Sequence, residues 1–96
     1  MTEAEFQANV IDLARTLGWK IHHDRADMSD HTAGDPGFPD LVLARKRKVL
    51  FFELKSDKGK VRPSQLAWST ALPFVYVWRP ADMQEIAQVL AHAGRT

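Results

Sequence analysis

The chain has 96 residues, of which 45% are hydrophobic and 26% are charged, and its formal net charge is +1. A chain of this length forms one domain, here residues 1–96, around a single core that buries about two thirds of its unfolded surface. It has no apolar run near the ~20 residues that a helix needs to cross a bilayer. The absence of cysteine excludes disulfides and thiolate metal sites and is compatible with a reducing cytoplasm.

The first predicted element is an amphipathic helix over residues 2–17. Apolar residues recur there at helical spacing, and Thr2 can cap the first turn with Glu5 three residues later. At ~100° per residue, Glu3 and Gln7 fall on the edge of the apolar stripe, whereas Glu5 falls on the polar side. We therefore expect Glu3 and Gln7 to face the sheet. The alternative for Glu3 is a first-turn glutamate that only favours the helix dipole.

An alternating run over residues 19–23 predicts a short strand, and residues 24–37 form a polar loop rich in Asp, Ser, Gly and Pro. Loops of this length are usually functional, and this one leads directly into Asp40. The spacing of its histidines and aspartates does not match a tetrahedral zinc site. Contact of Arg25 or of one histidine with a phosphate is the more plausible role for this loop.

Residues 38–55 contain two apolar runs of strand length on either side of four cations at residues 45–48, which predicts a β-hairpin. Strand side chains alternate, so Glu53 and Lys55 share one face. With the turn at residues 45–48, Asp40 lies opposite this part of the second strand. Two carboxylates and one ammonium are therefore expected to converge.

Paired carboxylates repel each other unless a cation bridges them, and oxygen ligands suit Mg²⁺ or Mn²⁺. Such an ion can activate water and offset the charge of a phosphodiester, while Lys55 can position the nucleophile or stabilise developing negative charge. The alternative is that Asp40 caps a turn and that Glu53 and Lys55 form a surface ion pair, which contributes little to stability.

A helix is predicted from residue 63 or 64 to residue 72, with Gln65 close behind the second hairpin strand. The Gln65 amide is expected to contact a water, a phosphate oxygen or a loop carbonyl. Candidates for burial on this helix are Leu66, Trp68 and Leu72. The continuous apolar run at residues 74–78 predicts an inner strand, and Asp82 is expected to cap a last helix. The order α-β-β-β-α-β-α predicts an α/β fold with a mixed sheet flanked by helices.

Cations cluster at residues 45–48 and at residues 55–62, and we expect both clusters to surround the carboxylates and form a local basic surface. Solvated turns are the alternative. The residues expected to contact nucleic acid are Gln7, Arg25, Lys58, Lys60 and Arg62.

Taken in order, these motifs resemble the PD-(D/E)xK nuclease superfamily, and in particular its virus-type replication-repair nuclease (VRR-NUC) branch. The matching residues span nearly the whole chain and are Glu3, Gln7, Gly37-x-Pro39-Asp40, Glu53-x-Lys55, Gly59-Lys60, Gln65 and Val77-Trp78-Arg79-Pro80. The resemblance implies a restriction-endonuclease-like core and a metal-dependent endonuclease that cleaves DNA.

The resemblance also implies roles for individual residues. Asp40, Glu53 and the backbone carbonyl of Leu54 would hold Mg²⁺ or Mn²⁺, and Glu3 would join this metal site by orienting a water. Lys55 would assist the attacking hydroxide, with Gln65 close by in the catalytic set.

The expected substrate is branched or Holliday-junction DNA, because a bare core has little surface for base readout. The expected setting is the cytoplasm of a bacterial cell or of a phage-infected host. A homodimer is expected, because the aromatic content exceeds what one small interior hides and because symmetric cleavage needs two sites. The alternatives are a catalytically idle DNA-binding or assembly module, a non-selective DNA nickase and a sequence-specific restriction-type nuclease.

Overall fold

The computed structural model describes residues 1–23 and 34–93. It is a mixed α/β structure with a four-stranded mixed sheet and three helices. In chain order the elements are α1 (Glu3–Thr16), β1 (Lys20–His23), β2 (Leu41–Arg45), β3 (Lys48–Leu54), α2 (Pro63–Ala71), β4 (Val75–Trp78), a 3-10 turn (Pro80–Asp82) and α3 (Met83–His92). None of the helices in the described ranges is both long enough and apolar enough to cross a membrane.

The strands lie side by side in the order β1-β2-β3-β4. The first three are antiparallel to their neighbours, and β4 is parallel to β3, so α2 forms the crossover that a parallel pair requires. The hairpin register pairs Leu41 with Phe52 and Arg45 with Lys48. Asp40 therefore lies opposite Glu53. We call this end of the sheet the site end and the end with residues 45–48 the turn end.

One face of the sheet forms the core. Alternate residues of β2 and β3 point to this face and pack against α1 and α3. The largest fully buried side chains are Phe6, Val10, Leu41, Leu43, Phe52, Leu54, Ile86 and Leu90. The other face carries Glu53 and lies towards α2, so the core and the candidate site occupy opposite faces of the same hairpin.

The prediction that residues 74–78 form an inner strand is wrong. Within the described residues β4 is an edge strand, and Phe74 and Val77 are 62% and 38% exposed. The run is apolar because its alternate rings form an aromatic ladder. Tyr76 stacks on Trp78 with ring centroids 4.9 Å apart, and both rings contact Phe52 edge-on.

Two further expectations need correction. Leu66 is 58% exposed, because α2 buries only Gln65 and contacts the sheet through its first turn. Asp82 is the residue before α3, but its carboxylate accepts a hydrogen bond from the Arg79 backbone N–H at 2.8 Å and makes no bond to the helix. The capping interaction therefore closes the 3-10 turn.

At the turn end, Arg45 ties the hairpin to two helices. Its guanidinium donates to the carbonyls of Leu17, at 2.7 Å, and Ala93, and it lies 4.5 Å over the ring of Trp19. The Trp19 indole donates in turn to the Leu90 carbonyl at 2.9 Å. Because α1 and α3 end here and α2 starts beside Glu53, all three helices begin at the site end.

Candidate functional site

Asp40 is placed by a tight passage of the backbone past α2. Gly37 has φ +94°, and a Cβ atom on it would lie 2.4 Å from the Ser64 carbonyl, so only glycine fits. The Trp68 indole donates to the Pro36 carbonyl at 3.0 Å. These contacts hold the segment before β2 against α2 and direct the chain to Asp40.

The Asp40 carboxylate is bound across the hairpin. Its Oδ2 accepts a hydrogen bond from the Leu54 backbone N–H at 2.8 Å. A backbone donor fixes the carboxylate without neutralising its charge. Asp40 is therefore held beside the Glu53 position by the register that the hairpin turn imposes.

Glu53 is the central group of the site and is only 3% exposed. Its Oε2 accepts a hydrogen bond from the Gln65 amide nitrogen at 2.6 Å and lies 3.4 Å from Lys55 Nζ. Its Oε1 is buried and has no hydrogen-bond partner among the described residues. A buried carboxylate oxygen without a partner is costly, so this atom fits a cation held beside Asp40.

Gln65 orients Glu53. Its Oε1 accepts the Arg62 backbone N–H at 2.9 Å, which directs its amide nitrogen to Glu53. The partners of Gln65 are therefore a carboxylate and a loop N–H and not the loop carbonyl expected as one alternative, whereas its contact with a water or a phosphate oxygen stays a prediction. The amide spans the gap between the start of α2 and the hairpin and holds the carboxylate in place.

The pKa of Glu53 is raised to about 7, chiefly by burial and then by the nearby Asp40 charge, while Lys55 lowers it. Burial also raises the pKa of Asp40, against the Leu54 N–H, and the negative charge of Glu3 adds to the increase. Ionisation of both carboxyls therefore places two negative charges together in a poorly hydrated site. A divalent cation would relieve this repulsion.

The phase of α1 agrees with the predicted one. Thr2 and Glu5 form the capping box, with bonds of 2.9 and 3.1 Å between each backbone N–H and the other side chain. These bonds lower the pKa of the exposed Glu5 carboxylate. Glu3, although exposed, is close enough for its charge to act on Asp40, and Gln7 is half-buried. The first turn of α1 thus presents Glu3 to the site.

The basic loop after Lys55 is anchored by a residue whose role the sequence did not indicate. Arg79 donates to the Ser56 carbonyl at 2.6 Å, and the Lys55 backbone N–H donates to the Trp78 carbonyl at 2.9 Å. The run of residues 77–80 resembles a family motif, but the motif by itself assigns no function to its arginine. The exposed cations of the loop are Lys58, Lys60 and Arg62.

The two predicted cation clusters separate in the structure. Residues 55–62 do lie at the site end, but residues 45–48 lie at the turn end, so the expectation that both surround the carboxylates is wrong. The hairpin places its turn at the opposite end of the strands from Asp40. Arg25 and most of the predicted loop, residues 24–33, lie outside the described residues.

Over the part of the chain that the structure describes, no group of three or more His, Asp or Glu side chains is gathered as a metal site. The candidate donors are two carboxylates with a backbone carbonyl, beside one lysine. Comparison of the chain with protein-family models, with curated proteins and with solved structures found no match.

Proposed function

We propose that this chain is a metal-dependent DNA endonuclease of the PD-(D/E)xK superfamily, in its VRR-NUC branch, with a restriction-endonuclease-like core. The observation that carries the proposal is the buried Oε1 of Glu53, which has no partner in the described ranges and is held beside Asp40 by the hairpin register. Lys55, 3.4 Å from the other Glu53 oxygen, completes the set.

Asp40, Glu53 and the Leu54 carbonyl are the groups proposed to hold Mg²⁺ or Mn²⁺. When bound, the ion supplies Lewis-acid activation of water and neutralises charge on the phosphodiester. Lys55 orients the attacking hydroxide and stabilises negative charge that develops on the phosphate. Gln65 keeps the Glu53 carboxylate in place, and Glu3 accepts a hydrogen bond from the water in this site.

The arrangement of the helices supports an anionic substrate. All three begin at the site end, so the positive ends of their dipoles lie near the carboxylates. The exposed Lys58, Lys60 and Arg62 lie at the same end and are proposed to contact the phosphate backbone, together with Gln7 and Arg25. Backbone contacts do not read sequence, so we propose a structure-selective enzyme that acts on branched or Holliday-junction DNA in the cytoplasm of a bacterial cell or of a phage-infected host.

We also propose that the chain acts as a homodimer. Leu66, Phe74 and Val77 are exposed on α2 and at the β4 edge, which leaves large apolar side chains for an interface. A two-fold dimer has two sites and could cut both strands of a junction. Sedimentation at micromolar concentration should give about twice the 10.9 kDa of one chain. A monomer, with or without junction DNA, would favour simple nicking.

The test of activity is incubation with four-way junction, flap, single-stranded and linear duplex DNA in Mg²⁺, Mn²⁺ or EDTA. Cleavage should require the metal, and Asp40→Asn and Glu53→Gln should abolish it. Asp12→Asn, at an exposed position on the second half of α1, is the matched control and should keep full activity. Activity within a few-fold of wild type in either site variant would refute the assignment of the carboxylates.

The same assay separates the alternatives. Metal-independent binding without cleavage would identify an idle DNA-binding or assembly module, and equal cutting of all duplexes would identify a non-selective nickase. Lys55→Ala should lower turnover more than metal affinity, because its ammonium acts on the nucleophile. Loss of metal binding in a calorimetric titration of this variant would contradict that role.

A further inference from the structure

The charged residues that the structure describes are unevenly divided between the two ends of the sheet. The site end carries more acids than cations. The turn end carries six cations and one acid: Arg15, Lys20, Arg45, Lys46, Arg47, Lys48 and Asp12. The strongest positive field of the described structure is therefore at the end opposite the carboxylates.

Three of these cations form the tip of the hairpin. Arg45 points inward to the helix ends, whereas Lys46, Arg47 and Lys48, here called the basic tip, are exposed. Lys46 and Arg47 have φ values of 49° and 69°, a conformation for which two-residue hairpin turns favour Asn and Gly. Each costs on the order of 1 kcal/mol in a residue with a side chain. The turn thus holds cations where local stability favours small uncharged residues.

The basic tip lies at a fixed distance from the candidate site because both lie on the same hairpin. Glu53 is five residue steps after Lys48 along β3, which is about 17 Å at ~3.3 Å per residue. That length equals about five base-pair steps of a DNA duplex at ~3.4 Å each. The bonds of Arg45 to the ends of α1 and α3 brace the hairpin, so this distance is rigid.

The part of this surface next to the tip is open. Ala44 and Val49 form the cross-strand pair next to the tip, and both are exposed on the sheet face that carries Glu53. β4 pairs with β3 only from Phe51 onward, so it leaves the tip half of β3 uncovered. Nearer to Glu53, the Phe38 ring packs edge-on against Phe51 and Trp68, so a polyanion that reaches both the carboxylates and the basic tip crosses the rim of these rings.

We propose that Lys46, Arg47 and Lys48 bind the phosphate backbone of the same DNA about five base pairs from the scissile phosphate. The chain then requires a duplex arm of at least that length on one side of the cut. This inference rests on the proposed nuclease function. It deepens that function by giving the substrate a minimum arm length.

The experiment measures binding by fluorescence anisotropy, with labelled four-way junctions whose arms are about 3 to 10 base pairs long. The Asp40→Asn background is used so that DNA is bound and not cut. Affinity of this parent should rise in a step when the arms reach about five base pairs. The triple variant Lys46→Gln/Arg47→Gln/Lys48→Gln should lose this step, with roughly 10- to 100-fold weaker binding of long arms near 0.1 M salt.

The salt dependence gives a second readout. Each phosphate that the protein no longer neutralises should reduce the slope of log affinity against log salt by about 0.9 in magnitude. The triple variant should therefore show a slope smaller by about 2 to 3 for long arms and an unchanged slope for the shortest arms. The control Lys58→Gln/Lys60→Gln, in the loop at the site end, should weaken binding of all arm lengths equally. Lys46→Arg/Arg47→Lys/Lys48→Arg keeps the charge and should restore the step.

The outcomes are distinct. If the parent binds junctions and the triple variant binds every arm length equally well, the basic tip is not a contact, although the nuclease proposal stands. A uniform loss at all arm lengths would show a general charge effect and also overturn the inference. Absence of DNA binding by the parent would refute the nuclease proposal itself. Equal binding of phosphatidylserine vesicles, abolished in the triple variant, would assign the tip to anionic surfaces instead.

Discussion

The buried Glu53 carboxylate predicts an unusual dependence of stability on pH. In the folded chain its pKa is about 7, against an ordinary value of 4.5. As pH rises through this window the unfolded chain releases the proton before the folded chain does. The free energy of unfolding therefore falls with rising pH, whereas a salt-bridged carboxylate of lowered pKa would make it rise. In Glu53→Gln the titrating group is gone while the shape of the side chain is kept.

The size of the effect follows from the two pKa values. A difference of two to three pKa units corresponds to about 3 kcal/mol, most of which develops between pH 5 and pH 8. The free energy of unfolding of Glu53→Gln, minus that of wild type, should therefore increase by about 2 to 3 kcal/mol over this range. The introduced amide is a weaker partner for Lys55 than the carboxylate, but any cost that is the same at every pH does not affect this increase.

The assay is urea unfolding followed by tryptophan fluorescence in EDTA, since Trp19 and Trp78 are buried. Adding Mg²⁺ or Mn²⁺ at pH 8 should stabilise wild type and not the variant, by ~2.7 kcal/mol when the ion is at a hundred times its Kd. If the free energies of unfolding of variant and wild type differ by the same amount at pH 5 and pH 8, the reasoning about burial is refuted. Equal stabilisation of both chains by the ion would refute the ligand assignment.

Three other predictions test separate parts of the structure. Glu3→Gln should reduce DNA cleavage at least about tenfold, and Glu5→Gln should reduce it less than about twofold in the same assay. The reason is that the charge of Glu3, and not that of Glu5, acts on Asp40. Equal effects would contradict the phase of α1. Lys46→Asn/Arg47→Gly should raise the free energy of unfolding by about 1 to 2 kcal/mol in urea, by relieving the left-handed backbone, and no gain would mean that the turn is unstrained. Gln65→Met keeps the volume of the side chain but removes the donor to Glu53, which should raise the pKa of that carboxyl. The midpoint of the pH dependence of the cleavage rate should therefore move to higher pH by about one unit. An unchanged profile would show that this hydrogen bond does not hold the carboxylate.

The parts of the structure that depend on local pattern could be predicted from the sequence. Alternation along β3 placed Glu53 and Lys55 on one face, and the position of the turn placed Asp40 opposite them. Helical spacing separated Glu3 from Glu5. Each of these inferences needs only the geometry of one helix or one hairpin, which the local sequence determines.

The errors concern contacts between distant elements. An apolar run such as residues 74–78 has the same sequence pattern in a strand covered on both faces and in a strand with an aromatic ladder on one face. The sequence therefore did not indicate that β4 is an edge strand. The partner of Gln65 depends on how α2 packs against the hairpin. The inward direction of Arg45 depends on where α1 and α3 end. Proximity in sequence also misled: residues 45–48 are close to Asp40 along the chain but one strand length away in space.

The candidate site also has a consequence for the order in which the chain folds. The bond from Leu54 to Asp40 spans 14 residues and the bond from Gln65 to Glu53 spans 12, whereas the core contact from Trp19 to Leu90 spans 71. Short loops close at lower entropic cost, so the segment that carries the carboxylates is expected to form before the terminal helices dock. The repulsion between Asp40 and Glu53 is then already present in the transition state. The pH sensitivity of this chain should accordingly be found in its folding rate, with little change in its unfolding rate.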